Sequence, residues 1–311
     1  MPIFTRILCP VVLTLLAPAI AADHMNIADW EISAVLEKIP EPNACDLATA
    51  HEYDPLRTVR DGVPYADIDA QQAIAACQPI ANRVLEKYKT ERPYSFDQIR
   101  DLRAIYQLSR AISKSGDDAQ ALKINHQARD LGYPYSYFYE YSAYTNGWGT
   151  ARNPKRAATR LAQAVDRNVP IAHQTRAEIE LTKDAPNFTQ IIDDLGRAEK
   201  GYIPVALTWA RVHEKMGEQM LISNQSCVAG HCGKKIADMG EYEMLFTFNY
   251  HGLRAYYGAL ESALNFYHDY IRSHPTSETA IKNIDRIEDR LEMLNPMIKS
   301  KLDDLYRPHP Q

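Results

Sequence analysis

The sequence predicts an all-α protein built as an α-solenoid of antiparallel helix hairpins, and three observations point there. A Gly or Asn followed shortly by Pro recurs at Gly132-Tyr133-Pro134, Asn168-Val169-Pro170 and Gly201-Tyr202-Ile203-Pro204. Gly and Asn tolerate the left-handed residue that closes a helix, and Pro suits the first turn of the next one, where its missing N–H would be unpaired anyway. The three prolines lie 36 and 34 residues apart, and a second set of turn signals, Gly147-Trp148-Gly149, Asp184-Ala185-Pro186 and Gly217, follows each proline by 13 to 16 residues. A period of roughly 34 to 36 residues holding two helices is that of a repeat whose hairpins bury their apolar faces only against their neighbours. Such folds generally bind rather than catalyse.

Residues 1–21 have the pattern of a secretory signal: Arg6, an apolar run from Val11 to Leu16, and Ala19-Ile20-Ala21 as a small-x-small cleavage site. The run is too short for an ordinary membrane span, and no later window offers ~18 uninterrupted apolar residues. A soluble periplasmic or secreted protein is therefore expected, with no membrane insertion after cleavage. The formal charge of −5 becomes −6 when the single charge of Arg6 is removed, which gives no basic footprint for nucleic acid. Removing Cys9 leaves four cysteines, Cys45, Cys77, Cys227 and Cys232, and thiols in an oxidising compartment usually pair. Nearest-neighbour pairing joins Cys45 to Cys77 and Cys227 to Cys232; sequence alone leaves the other connectivities open.

Residues 22–92 form an N-terminal leader. A short helix is expected over residues 26–38, with Ile27, Trp30, Val35 and Leu36 on one side, stopped by Pro40 and Pro42. An irregular stretch from Cys45 to about Ile68 follows. Asp69 then caps a helix carrying Ala73, Ile74, Cys77, Val84, Leu85 and Tyr88, in which Pro79 predicts a kink.

Residues 93–217 are read as the repeats. Ser95-Phe96-Asp97-Gln98 has capping-box spacing and opens a helix with Ile99, Leu102, Ile105, Tyr106, Ala111 and Ile112 inward; Gly116-Asp117 turns the chain into its partner. In the next unit Asn153 is an N-cap, with Pro154 at the first helical position. The run from Ala143-Tyr144-Thr145-Asn146-Gly147-Trp148-Gly149 through Asn153-Pro154-Lys155-Arg156-Ala157 to Leu161, Ala164 and Ala172 resembles a Sel1-like repeat, in which a Tyr precedes a G-x-G turn followed by a polar residue, Lys and Ala. The resemblance is good for this unit, moderate for residues 93–132 and weak for residues 170–217. Upstream, Cys45-Asp46-Leu47-Ala48, Asp54-Pro55, Gly62-Val63-Pro64 and Ala73-Ile74-Ala75-Ala76-Cys77 resemble the cysteine-flanked leader found before tetratricopeptide-like or Sel1-like repeats in exported bacterial proteins. That resemblance favours a Cys45–Cys77 disulfide and implies a non-enzymatic adaptor or regulator binding a protein or peptide partner.

Residues 218–311 are read as an insertion loop and a long helical C-terminal cap. Residues 241–274 suit one long helix or two broken at Gly252. Pro275 stops the pattern, and Thr276 or Ser277 caps a last helix striped by Ile284, Ile287, Leu291, Leu294 and Ile298; Pro296 argues against a long coiled coil.

Few constellations could carry chemistry. His213-Glu214 opens like a zinc-protease helix, but the position of the second His is Gly217, so His213 is read as a surface or core histidine. Cys227, His231 and Cys232, with His213, are a conceivable metal cluster and the basis of an alternative enzymatic reading around residues 213–232; a disulfide is the simpler reading. No G-x-S-x-G, P-loop or dinucleotide fingerprint occurs, so no catalytic residue, metal or cofactor is assigned. Glu178 with Glu180, and Asp193 with Asp194, are read as solvated charges. One anomaly remains, the run Tyr133, Tyr135, Tyr137, Tyr139, Tyr141 and Tyr144 with Phe138. Tyr137, Tyr141 and Tyr144 fall on one helical stripe, with Tyr135, Phe138 and Tyr139 around the other side. One stripe is core; the other is covered by a neighbouring unit or exposed on the concave, helical-repeat surface of the solenoid, where amphipathic tyrosines are favoured for binding. Tyr135, Tyr139 and Trp148 are the candidate binding residues. A purely structural envelope protein is a third reading.

Overall fold

In the computed structural model, which describes residues 41–54, 56–59, 61–90, 93, 95–201, 203–223, 244 and 250–306, the regular structure is helical. The expected signal segment, the helix over residues 26–38, and Cys227, His231 and Cys232 lie outside the described residues.

The leader is more ordered than expected. Cys45 lies in a short helix, α1 (Ala44–Thr49), started by a capping box between Asn43 and Asp46. A 3-10 turn (Tyr65–Asp67) leads to α2 (Ala70–Lys87), whose cap Asp69 accepts from the Gln72 amide as expected. Pro79 does not interrupt α2. It sits on the exposed side with Ala75, whose carbonyl loses its helical donor but can turn to water.

The repeat helices follow as α3 (Phe96–Asp101), α4 (Arg103–Lys114), α5 (Asp118–Asp130), α6 (Tyr135–Asn146), α7 (Pro154–Asp166), α8 (Pro170–Leu181) and α9 (Phe188–Lys200). Ser95 and Gln98 form the expected capping box, and Asn153 caps α7 with Pro154 in its first turn. Gly132 and Asn168 are left-handed, at φ 98° and 50°, as the first two punctuation marks require. The third mark works differently. Gly201 has an ordinary φ of −88°, and the next helix, α10 (Ala206–Ser223), starts after Pro204 rather than at it. Gly is needed at 201 because a Cβ there would stand 2.2 Å from the Pro170 ring.

Gly217 is also no turn. It lies inside α10, where a Cβ would come within 2.7 Å of the Ala259 Cβ on α11 (Tyr250–Ser273). The glycine permits two long helices to approach closely, and α10 runs through the boundary drawn at residue 217. Helix α11 begins at Tyr250, with Gly252 in its first turn, and the stretch 245–249 before it lies outside the described residues. Ser277 rather than Thr276 caps α12 (Glu278–Tyr306), which continues through Pro296 and packs on α11.

Successive helices pair along the chain: α4 with α5, α6 with α7, α8 with α9, α10 with α11, and α11 with α12. Three apolar clusters follow the same order. One joins the leader to the helices through α8, one spans α8 to the start of α10, and one fills the space between α10, α11 and α12 around Leu253, Leu260, Ile287 and Leu294. Local burial of this kind is the solenoid principle.

Buried carboxylates hold the units together, which corrects the expectation for the acidic pairs. Asp194 is fully buried, bridged to His173 (2.6 Å) and to Arg176 through Nε (2.7 Å) and Nη2 (2.5 Å). Burial raises its carboxyl pKa, but the bonds from His173 and Arg176 outweigh it and leave the group below its usual value. Glu180 is buried too, accepting from Lys183 Nζ (2.5 Å) and the Asn187 amide (3.1 Å). Glu140, fully buried on α6, is clamped by Arg129 of α5 (2.7 Å) and Arg160 of α7 (2.6 Å).

Candidate functional site: an aromatic cavity under the leader

The leader folds back over α4. Cys45 and Cys77 are joined as a disulfide with Cα atoms 4.5 Å apart, tying α1 to α2. Helix α4 is buried all round from Arg103 to Ile112, polar residues included, because the leader covers the side that would otherwise face water. Its polar stripe Arg103, Gln107 and Arg110 is satisfied by that cover. Asp46 accepts both forks of Arg103 (2.8 and 2.7 Å) and the Gln107 amide (3.1 Å). Burial raises the Asp46 pKa, but Arg103 more than offsets it, so the group stays below its ordinary value. Arg110 donates to the carbonyls of Thr49 (2.9 Å), Ala50 (3.1 Å) and Val63 (2.7 Å).

Between this cover and the helices lies a half-open cavity of about 620 Å³. Tyr106 of α4 and Tyr135, Phe138 and Tyr139 of α6 form its aromatic wall; His51, Glu52, Tyr53 and Tyr65 of the leader face them. Ser113 and Asp118 sit at the α4–α5 turn, and Trp148 and Ile171 close the rim. The rings are tilted against one another: Tyr106 is 5.2 Å from Tyr135, and His51 is 4.8 Å from Tyr135. Such offset arrangements are favoured by the ring quadrupoles.

Trp148 reaches the rim because its loop presses against the start of α5. Gly149, at φ 64°, lies so close that a Cβ would stand 2.2 Å from the Asp118 carbonyl. Only glycine meets both conditions.

The electrostatics of the lining are set by burial. Desolvation, with Arg110 and Arg57 adding like charge, lowers the His51 imidazole to about 3 and leaves the ring neutral at physiological pH. Beneath it, Asp54 is fully buried; desolvation raises its pKa although the Tyr133 hydroxyl and the Leu56 amide donate to it. Burial lifts the Tyr139 hydroxyl to about 12, so it stays protonated. Asp118 accepts from Ser113 Oγ (2.5 Å).

All three sequence-derived binding residues, Tyr135, Tyr139 and Trp148, line this one cavity. Their exposure differs from a free concave face: Tyr135 is only 3% exposed, Tyr139 is half-buried, and Trp148 is 44% exposed. The two tyrosine stripes are both largely covered. Tyr137 and Tyr144 pack inward, with Arg167 3.9 Å above the Tyr137 ring, while the Tyr135 side is roofed by the leader rather than by a repeat. Sequence reasoning missed His51, Glu52, Arg110 and Asp118. The available signal was the Arg103, Gln107, Arg110 spacing, a polar stripe on a helix otherwise apolar enough to be core.

His213 lies on α10 and packs its ring on Phe266 (5.4 Å), beside Trp209. Among the described residues no three His, Cys, Asp or Glu side chains are grouped to hold a metal ion, and no helix is long and apolar enough to cross a membrane.

No protein-family model and no curated protein matches the chain. Among solved structures, a Sel1 repeat protein from Oxalobacter formigenes aligns over 70% of this chain and 98% of its own, at 12% identity and a TM-score of 0.32. The hairpin architecture stands on the helices themselves.

Proposed function

We propose that the protein is a non-enzymatic, exported adaptor or regulator that binds a protein or peptide partner through the cavity under its leader. The observation that carries this reading is the convergence of Tyr135, Tyr139 and Trp148, from a helix and a rim loop, on one half-open aromatic cavity. Its volume falls within the roughly 300–1,000 Å³ of ordinary ligand pockets, large enough for one or two side chains of a partner. Tyr and Trp offer large amphipathic contact area at low conformational cost, which is why they dominate binding hot spots. The Cys45–Cys77 pair supports an oxidising compartment, in keeping with the signal-like segment. The stacking of His213 on Phe266 favours a packing role for that histidine over the metal-enzyme reading.

The test uses Trp148→Ala and Tyr139→Ala in the full chain. Trp148 is exposed, so its loss leaves folding intact, and partner capture should fall sharply at an unchanged melting temperature. Undiminished capture by both folded variants would overturn the proposal.

A further inference from the structure

We propose that the cavity receives a basic side chain, lysine or arginine, presented by an extended peptide. This rests on the peptide-binding reading and names the chemistry of its ligand.

Two carboxylates border the cavity. Glu52 has no hydrogen-bond or ion-pair partner among the described residues, and Asp118 is engaged only by the Ser113 hydroxyl. The one cationic side chain of the lining, Arg110, is 4% exposed and donates its guanidinium to three backbone carbonyls. His51 stays neutral. Two carboxylates against one guanidinium leave the lining with an excess of one negative charge in a partly dehydrated space, where a cation is attracted more strongly than in water. An acidic ligand would meet Glu52 and Asp118, with the Arg110 guanidinium already engaged and the Lys114 ammonium only at the edge, donating to the Ala66 carbonyl (2.9 Å).

The aromatic wall fits the same ligand. A cation within about 6 Å of a Tyr or Trp face is attracted by the ring, and the aliphatic stem of Lys or Arg packs well on apolar surface. The protein itself shows this contact at the cavity edge, where Lys114 Nζ lies 5.2 Å from the Tyr65 centroid. Trp148 and Tyr139 offer the corresponding surfaces inside, with Phe138 and Ile171 available to the stem.

The experiment pans a random 12-residue peptide library, displayed on phage, against the full chain, then titrates synthetic versions of the selected peptides in which each Lys or Arg is replaced in turn by norleucine. Selected peptides should share a basic residue whose replacement weakens binding about tenfold or more, the loss expected for one charge-assisted contact. Glu52→Gln, which removes no hydrogen bond or ion pair among the described residues, should weaken the same peptides several-fold, and raising the salt should erase that difference. Peptides that depend on Tyr139 and Trp148 but carry no shared basic residue, and ignore Glu52→Gln, would overturn the basic-side-chain assignment and leave the peptide-binding reading standing. Finding no peptide whose binding depends on Tyr139 or Trp148 would count against both.

Discussion

At the residue scale, the leader is held by a few buried polar groups whose partners are distant in sequence. The Asp46–Arg103 pair spans 57 positions and buries both charges. Removing one partner of such a pair strands the other, so Arg103→Ala should cost about 3–5 kcal/mol, measurable by chemical denaturation. His51 makes a second prediction. Its folded pKa, about 3, lies below the ordinary unfolded value of about 6.5, so the unfolded chain takes up the proton first. Its contribution is complete above pH ~6.5 and is lost as pH falls toward 3. Between pH 7 and 5 the wild type should lose roughly 1–2 kcal/mol more than His51→Gln. Equal losses would show that the histidine is not held neutral. The difference between the two proteins matters because His126 and His213 are also lowered by burial and act in the same direction.

At the element scale, glycines separate turn from close approach, and this marks where the sequence was legible. Gly132, Asn168 and Gly147 follow the punctuation logic, because a left-handed cap is a local demand that neighbouring residues reveal. Gly217 and Gly201 carry the same letter for a non-local reason, the approach of another element, which no local pattern encodes. The contrast is testable. Gly217→Ala should destabilise by about 1–3 kcal/mol despite the better helix propensity of Ala, since its Cβ meets Ala259 and the Tyr256 ring. Gly196→Ala, in α9 with nothing within 4 Å, should stabilise by up to about 1 kcal/mol. Thermal melts of the two variants decide it. Acidic residues follow the same rule. Asp193 and Asp194 are neighbours in sequence, yet Asp193 pairs at the surface with Arg197 and Asp194 is enclosed by His173 and Arg176. Helical period fixed which face each occupies, and only the packing of α8 against α9 decides which face is buried.

At the scale of the whole molecule, a chain of hairpins meets a disulfide-tied leader, and the candidate site lies where they join. The Cys45–Cys77 bridge closes a separation of 32 residues, for which the chain-entropy model gives about 3–4 kcal/mol. Replacing both cysteines with serine should therefore lower stability by about that amount and loosen the wall that carries His51 and Glu52. Hydrogen exchange should show the loss first in α1 and in the parts of α4 that it covers. Binding should weaken in parallel, because that wall is leader sequence. The aromatic half of the site was readable as a tyrosine run in a repeat helix. His51 and Glu52 were not, since they come from irregular leader backbone whose position depends on tertiary contacts with Arg103 and Arg110.

Function here depends on a partner entering the cavity beside Trp148. The most direct measurement places a photo-crosslinking amino acid at position 148 in the living cell, with a second at Ile281, an exposed residue of α12 outside the cavity lining. A partner seated in the cavity gives a discrete adduct from position 148, none from position 281, and loss of the first on adding Tyr139→Ala. An adduct from position 281 alone, or one from position 148 that survives Tyr139→Ala in folded protein, would contradict it.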